Sequence, residues 1–455
     1  MMAYVRSQIL LLAVLATALT SISCHTDDEE DLQPASGHKV EFGEAKAPRY
    51  LLWEVNPGEG FNLRRDVYLR MANLVETLNE DSPWILVLPP WGHLYHWANR
   101  QMDQSRIPWS VFFDVPSLRK YVPVIEFEDF LKVLPKPWLV DEVYYLQYYK
   151  EGWGGEWKEK MDMRECHTME YRKYTWNEET GVFDGWFFNY GDEVHAKSFQ
   201  CMSIQGMVSF LKPFLLQNTT GRSVMVDRAE TVMHDRFGDI KYWTARRSMV
   251  FAKHLKKIGD DFRAKYLDST DVADKTVLNG DWTKDKKKKG QAKGGPYIGV
   301  HLRRADFAIS RKKDTPTLAG AAEKIMELLK KYDLKKVFIS TDAREEWEFE
   351  EVKNLLSGYE VYRFQPSKEI LEKYMDGGVA IIDQWICAHA RYFIGTREST
   401  FSFRIQDERE IMGFDPDMTF NSFCGQGREK GEEKQERDDY EENFCRQPSR
   451  WEIVY

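Results

Sequence analysis

The sequence is short of long apolar runs. No stretch holds the roughly 18 consecutive apolar residues that a bilayer-spanning helix needs, so the mature chain is expected to be soluble and to carry no membrane span. It also lacks an excess of positive charge. Lys and Arg number 64 against 73 Asp and Glu, a formal net charge of −9. That balance argues against nucleic acid as a partner, which calls for a strong positive field. Cysteines are few, six in all, and none stands in a CxxC or in a Cys/His cluster with zinc spacing. No GxSxG, P-loop or HExxH motif is present, and Gly58-Glu59-Gly60 lacks the third glycine of a dinucleotide fingerprint. There are no internal repeats, and Trp451 to Tyr455 carries no retention tetrapeptide.

What is there suits a globular chain. Hydrophobic residues make up 42% and aromatics 14%, enough for sizeable cores, and 455 residues suggest two or three domains. At the N-terminus Arg6 precedes an apolar run, Ile9 to Leu19, and Ser21 and Ser23 follow at the spacing of a cleavage site. This layout reads as a signal peptide over residues 1–23, the alternative being a buried core helix. An acidic, flexible segment over 24–48 follows, with Asp27 to Asp31 at its start. The residues before Cys24 fit a lipoprotein anchor poorly.

Behind a signal peptide the other five cysteines meet an oxidising compartment, which leaves one over. Cys166 is expected to pair with Cys201 and Cys424 with Cys445, each pair bracketing a loop-like stretch. Cys387, in an apolar helical pattern, is the expected buried free thiol. Asn218-Thr219-Thr220 is a glycosylation acceptor.

The core begins near Arg49. Tyr50 to Val55 reads as a strand, and Asn62 as the cap of a helix whose apolar face carries Val67, Met71, Leu74, Val75 and Leu78. Trp84 to Leu88 is the next strand, and together they make a βαβ unit. From about 91 to 240 the chain reads as loops and short helices laid over a sheet. An amphipathic helix follows from Tyr242 to Tyr266. Lys284 to Lys289 begins a charged linker, read as a solvated loop rather than a nucleic-acid patch. Alternation then restarts. Strands are expected at 297–302, 337–340, 359–364 and 392–394. One helix spans 318–329, capped by Thr315 and Pro316, and another spans 379–390. The fold class is α/β, two domains with parallel sheets facing a cleft. Ligands of such sheets bind beyond the carboxyl ends of the strands.

Three polar clusters lie just beyond expected strand ends. Glu59, between Gly58 and Gly60, is a general base or simply an exposed turn residue. In His301-Leu302-Arg303-Arg304-Ala305-Asp306, alternation puts His301 and Arg303 on one face. The Arg303 fork suits a diphosphate, or else an arginine forms a structural ion pair with Asp306. Ser399, Thr400 and Phe401 follow a strand and open a helix, which makes either an anion site or an ordinary cap. Asp383 could accept from the ring donors of a nucleotide base or be a buried capping carboxylate. Asp415-Pro416-Asp417 has the DxD spacing of metal-dependent sugar transferases, but its proline and the nearby Gly413 make it read as a turn.

At these residues the sequence resembles a known family. Arg49 to Leu52, Asn56-Pro57-Gly58-Glu59-Gly60-Phe61-Asn62-Leu63-Arg64-Arg65-Asp66, Val87 to Gly92, His301 to Arg304, Asp383 to Cys387 and Ser399 to Arg404 are similar to the protein O-fucosyltransferases that modify thrombospondin type 1 repeats. The resemblance runs from about 49 to 455. It implies a GT-B arrangement of two Rossmann-like domains: residues 49–282 on the acceptor side, carrying Glu59, and 283–455 binding GDP-fucose. It implies an inverting enzyme of the endoplasmic reticulum lumen, extending to the Golgi, with no metal and no cofactor beyond the donor GDP-fucose. Its partners would be folded thrombospondin repeats of secreted and cell-surface proteins.

Carried over, Glu59 is the base and Arg303 holds the β-phosphate and stabilises the leaving GDP. Gly58, Gly60, Phe61, Asn62, His301, Asp306, Asp383, Ser399, Thr400 and Phe401 form the donor pocket. Gly58 replaces a second proline of the pattern, and Arg397 and Glu398 replace smaller residues. These departures would loosen the loop holding Glu59 and alter pocket access. A related enzyme acting on epidermal-growth-factor-like repeats or a glycan, and a non-catalytic luminal binder of client domains, are the competing readings.

Overall fold

Arg49 to Trp53 is a run of bulky side chains buried on both faces, the pattern of a central strand in a parallel sheet, and it forms β1 (Arg49–Trp53). The structure, a computed structural model, describes residues 47–455 apart from 93, 95, 98, 100, 153–156, 168–172, 312–314, 398, 420 and 424–451. The expected signal peptide, acidic segment, Cys24 and the Cys424–Cys445 pair lie outside the described residues. Everything described belongs to one unit, His38–Tyr455.

Helix α1 (Phe61–Leu78) follows β1 and leads into β2 (Trp84–Leu88), which lies parallel to β1 with Tyr50 level with Ile85. The βαβ unit is therefore present. Its helix starts earlier than expected. Gly60, in extended conformation, is the N-cap, and Asn62 lies inside the first turn, its side chain turned toward another helix.

The stretch from 91 to 240 corrects the reading of loops over a sheet, because it supplies most of the first sheet itself. Its strands are β3 (Val124–Glu126), β4 (Trp138–Gln147), β5 (Lys160–Met163), β6 (Tyr174–Asn177), β7 (Val182–Gly185), β8 (Val194–Gln205) and β9 (Ser223–Asp227). The order is β3-β2-β1-β9-β4-β8-β7-β6, with β5 also on β8. Strands β3, β2, β1, β9, β4 and β8 run parallel; β5, β6 and β7 are antiparallel additions. The Cys166–Cys201 disulfide forms, and the residues it brackets include the β6–β7 hairpin rather than only loop.

The second sheet, β12-β11-β10-β13-β14, is parallel throughout. Its strands are β10 (Gly295–Leu302), β11 (Lys336–Thr341), β12 (Glu360–Tyr362), β13 (Ala390–Thr396) and β14 (Ser422–Phe423). The helix expected over 242–266 is two, α2 (Ile240–Ser248) and α3 (Lys253–Tyr266). They are broken where Phe251 makes a β-bridge with Phe113. Helix α4 (Leu318–Lys331) is capped by Thr317, whose hydroxyl accepts from the Gly320 N–H at 2.9 Å, and not by Thr315 and Pro316. Next come α5 (Glu346–Leu355), α6 (Lys368–Ala388, interrupted at Met375 where φ is 53°) and α7 (Thr400–Met412). Among the described residues no helix is long and apolar enough to cross a membrane.

One core cluster runs through both sheets, from Leu51 and Trp53 to Phe338 and Phe393, with Leu255, Trp385 and Ile386 between them. Each further methylene buried there stabilises by about 0.8 kcal/mol. A chain of buried charges joins the halves as well. Arg246 of α2 pairs with Asp407 (2.8 Å) and Glu408 of α7, and Arg404 reaches Asp407 at 3.2 Å and Asp66 of α1 at 3.8 Å. Removing one member of such a buried pair would leave an uncompensated charge. Cys387 is a free, buried thiol on α6.

Candidate active site

After β1 the chain turns through Asn56-Pro57-Gly58-Glu59, closed by a hydrogen bond from the Glu59 N–H to the Asn56 carbonyl (2.9 Å). Arg64, one turn into α1, braces this turn. Its Nε donates to the Glu59 carbonyl (3.2 Å), and its Nη1 pairs with Glu54 Oε1 (3.0 Å). Glu230, just beyond β9, accepts from the Asn56 N–H at 3.3 Å and pairs with Arg228 at 3.2 Å. The turn is thus tied on both sides without the second proline, and a Cβ at Gly58 would meet open space. Burial, and after it the charge of Glu230, raises the pKa of the half-buried Glu59; Arg64 and Arg228 oppose the shift. A carboxylate that resists ionisation holds a proton more strongly, and so serves better as a base near neutral pH.

The second sheet brings the other cluster to its carboxyl edge. The register sets His301 level with Ser340 on one side and Gly395 on the other. His301 is buried, stacks on Phe401 with centroids 4.3 Å apart and shares a hydrogen bond with Ser402 Oγ at 2.8 Å. Burial, with Arg303 adding to it, pushes its pKa down to about 3, so the ring is neutral. Arg303 lies just past the strand, its N–H held by Thr396 Oγ1 at 2.9 Å.

The ion pair read as an alternative for Arg303 is present and is doubled. The guanidinium pairs with Asp306 and with Asp342. Two carboxylates fix the plane of the fork but cannot use all of its N–H donors. Arg304 is a separate matter, pairing with Glu348.

Asp383 sits on α6 beneath this edge. Its Oδ2 accepts from Ser340 Oγ at 2.8 Å, and its Oδ1 is buried with no partner. Burial raises its pKa to about 7, against the Ser340 hydrogen bond and the charge of Arg363. Ser399 is the buried N-cap of α7, Thr400 is exposed and Phe401 is half-buried. Arg397 is buried; Glu398 lies outside the described residues.

One residue joins the two sides. His96, from the segment after β2, leans so close to Gly60 that a Cβ there would stand 2.8 Å from its Cδ2, and its Nδ1 is 3.2 Å from Arg303 Nη2. Burial, and next Arg303, lowers its pKa. The turn carrying Glu59 and the Arg303 fork are therefore separated by about one imidazole ring. Phe61 is buried beneath, edge-on to Trp91 at 4.8 Å, and Asn62 follows it.

His96, Asp342, Glu230 and Gln384 are site residues that the sequence reading passed over. Asp342 stands just past an expected strand and answers to the same rule that picked out Arg303. Glu230 follows a strand that was not recognised, and His96 has no local pattern to betray it. Where a turn was expected, Pro416–Thr419 forms a single turn of helix, and the Asp415 carboxylate just before it accepts from the Asp417 N–H at 2.9 Å. Among the described residues no group of three His, Cys, Asp or Glu could hold a metal ion. Asn218 is exposed just past a short helix, Leu211–Gln217.

A family model described as GDP-fucose protein O-fucosyltransferase matches residues 50–412. The chain belongs to that family. It is 52% identical over 414 residues to the GDP-fucose protein O-fucosyltransferase 2 of Homo sapiens, covering 91% of each chain. The protein of the same name from Caenorhabditis elegans is 46% identical over 424 residues, with 91% of this chain and 92% of that one covered. The protein from Drosophila melanogaster is 39% identical over 401 residues, 82% of this chain and 79% of that one. This member of the O-fucosyltransferase family is accordingly a glycosyltransferase. Among solved structures, POFUT1 in complex with GDP-fucose matches at TM-score 0.54 and 16% identity, covering 84% of this chain and 100% of that one. The likeness is one of fold, and the α/β, GT-B-like architecture expected from the sequence is the one found.

Proposed function

We propose that the chain transfers fucose from GDP-fucose to a Ser or Thr hydroxyl of a folded thrombospondin type 1 repeat, with inversion and without a metal. The observation that carries this reading is the meeting of the Glu59 turn with Arg303 across His96. Glu59 takes the acceptor proton as the hydroxyl oxygen attacks C1 of fucose from the face opposite the leaving group. The bond from C1 to the β-phosphate oxygen breaks, and GDP departs with the electron pair. Arg303 binds the β-phosphate and offsets the charge that builds there, a task a guanidinium and the helix start at Ser399 can perform together.

His301, Asp306, Phe401 and Thr400 line the donor pocket beside them, with Gly58, Gly60, Phe61 and Asn62 on the facing turn. The unpartnered Asp383 Oδ1 is an acceptor for the ring donors of guanine. We place the enzyme in the lumen of the secretory pathway. The Cys166–Cys201 disulfide supports an oxidising compartment.

The test is transfer of labelled fucose to a folded thrombospondin repeat, its reduced form and an epidermal-growth-factor-like repeat, with chelator present. Transfer confined to the folded thrombospondin repeat is expected. Transfer only to the epidermal-growth-factor-like repeat, or only after metal is restored, refutes the acceptor or the metal-free reading respectively.

A further inference from the structure

Arg65 of α1 is wholly buried, its guanidinium 5.0 to 5.8 Å from the ring centres of Phe251, Phe113 and Phe61. Its Nη1 donates to Gln384 Oε1 at 2.7 Å and to Asn62 Oδ1 at 3.2 Å, while its Nε and Nη2 have no partner. Gln384, also fully buried, follows Asp383 directly on α6, and its Nε2 donates to Asn62 Oδ1 at 2.9 Å. Asn62 stands three residues after Glu59. The triad therefore ties the start of the base-bearing helix to the helix that carries Asp383.

The polarity of this triad is forced. A guanidinium can only donate, so Gln384 must turn its carbonyl oxygen to Arg65. That leaves the Gln384 amide N–H₂ aimed at Asn62, which must answer with its own oxygen. The Asn62 amide thus has one permitted orientation, oxygen inward and Nδ2 outward. Among the described residues no group accepts from Nδ2. Both amide orientations, which are ambiguous taken singly, follow from the one residue that cannot accept.

We infer that Arg65 and Gln384 are positioning residues that fix the Asn62 amide with its two N–H donors facing the donor substrate, so that Asn62 can bind the sugar diphosphate and not repel it. The inference rests on the reading of Asn62 as a donor-pocket residue. A hydrogen bond to a charged group contributes about 1.5–3 kcal/mol, so its loss should cost on the order of 10–100-fold in affinity.

The test compares GDP-fucose binding and transfer kinetics of three variants, with melting temperature as the check on folding. Gln384→Glu keeps the partner of Arg65 but removes the N–H donated to Asn62 and sets a carboxylate oxygen against the Asn62 oxygen, so the amide is no longer held oxygen-inward and its N–H₂ is drawn away from the donor. Its KM for GDP-fucose should rise 10–100-fold, with the acceptor KM within about twofold of the parent. Asn62→Asp keeps an inward oxygen for Arg65 and Gln384 and replaces the outward N–H₂ with an acceptor. Its donor KM should rise at least as far while its melting temperature holds, which covers the case in which the Gln384 variant fails to fold. Asn62→Ala separates the two layers of the argument. If its donor KM is unchanged, the reading of Asn62 as a donor contact fails. If its donor KM rises while that of folded Gln384→Glu does not, the relay is overturned. The double variant Asn62→Ala with Gln384→Glu should be no worse than Asn62→Ala alone; additive losses would show that Gln384 does not act through Asn62.

Discussion

The two halves of the site hold their charged groups in opposite ways. On the second sheet the charges are locked. Arg303 is gripped by Asp306 and Asp342, Arg304 by Glu348, and His301 is held neutral against Ser402 and Phe401. On the first, Glu59 rides a half-buried turn where burial and the like charge of Glu230 outweigh Arg64 and Arg228. Binding a diphosphate calls for donors already in place, because reorganising them during reaction would cost the energy they are meant to supply. A base needs the reverse, a carboxylate made reluctant to stay charged. The asymmetry suits one sheet to grip the donor and the other to activate the acceptor.

The comparison can be broken at several points. The largest effect should come from Glu59→Ala. Turnover with saturating substrates should fall by about 10²–10⁴-fold, the usual contribution of a general base, in a steady-state transfer assay. Arg246→Met attacks the seam between the halves. It leaves Glu408 without its cation and Asp407 with Arg404 alone, and a loss of about 3–5 kcal/mol in denaturant unfolding is expected. Asp342→Asn frees one side of the Arg303 fork while keeping an oxygen for the Arg304 N–H, which Asp342 now accepts at 2.6 Å. It should weaken GDP binding by roughly tenfold, the effect of losing one hydrogen bond to a charged group.

Glu230→Gln should have the smallest effect. As the proposed base, Glu59 would act deprotonated, so activity should be lost as pH falls through its raised pKa. Removing the like charge lowers that pKa, and the acid limb of the kcat/KM profile should move to lower pH. A shift of the limb upward, or none at all, would show that Glu230 does not tune the base.

Much of the second sheet was legible in the sequence. Tyr297 to Leu302 and Val337 to Ser340 are short apolar runs bounded by polar residues, and the helices between them carry a clear apolar stripe. The first sheet was not, beyond its opening βαβ unit. Strand β4 contains Asp141 and Glu142 in its middle, which breaks any apolar alternation. The structure explains their presence. Asp141 is bonded to Ser223 and Lys197, and Glu142 accepts from the Tyr144 hydroxyl and the Thr220 N–H. Most of those partners lie tens of residues away, so no local pattern reveals the strand.

The site divides in the same way. Glu59 and Arg303 stand just beyond strands that could be read, and Asp383 on a helix that could be read. Residues that act from a distance, such as His96 on Arg303 and Gln384 on Asn62, become visible only once the halves are set against each other. The expected cap at Asn62 failed for that reason: its oxygen was already engaged by Arg65 and Gln384.

The most direct measurement is GDP titrated into Glu59→Ala and Arg303→Ala by calorimetry, beside transfer assays on the same preparations. The division of labour predicts that the Glu59 variant binds GDP like the parent while its transfer falls at least about 100-fold, and that the Arg303 variant loses both. Transfer by the Glu59 variant within about tenfold of the parent, or unchanged GDP binding by the Arg303 variant, would contradict it.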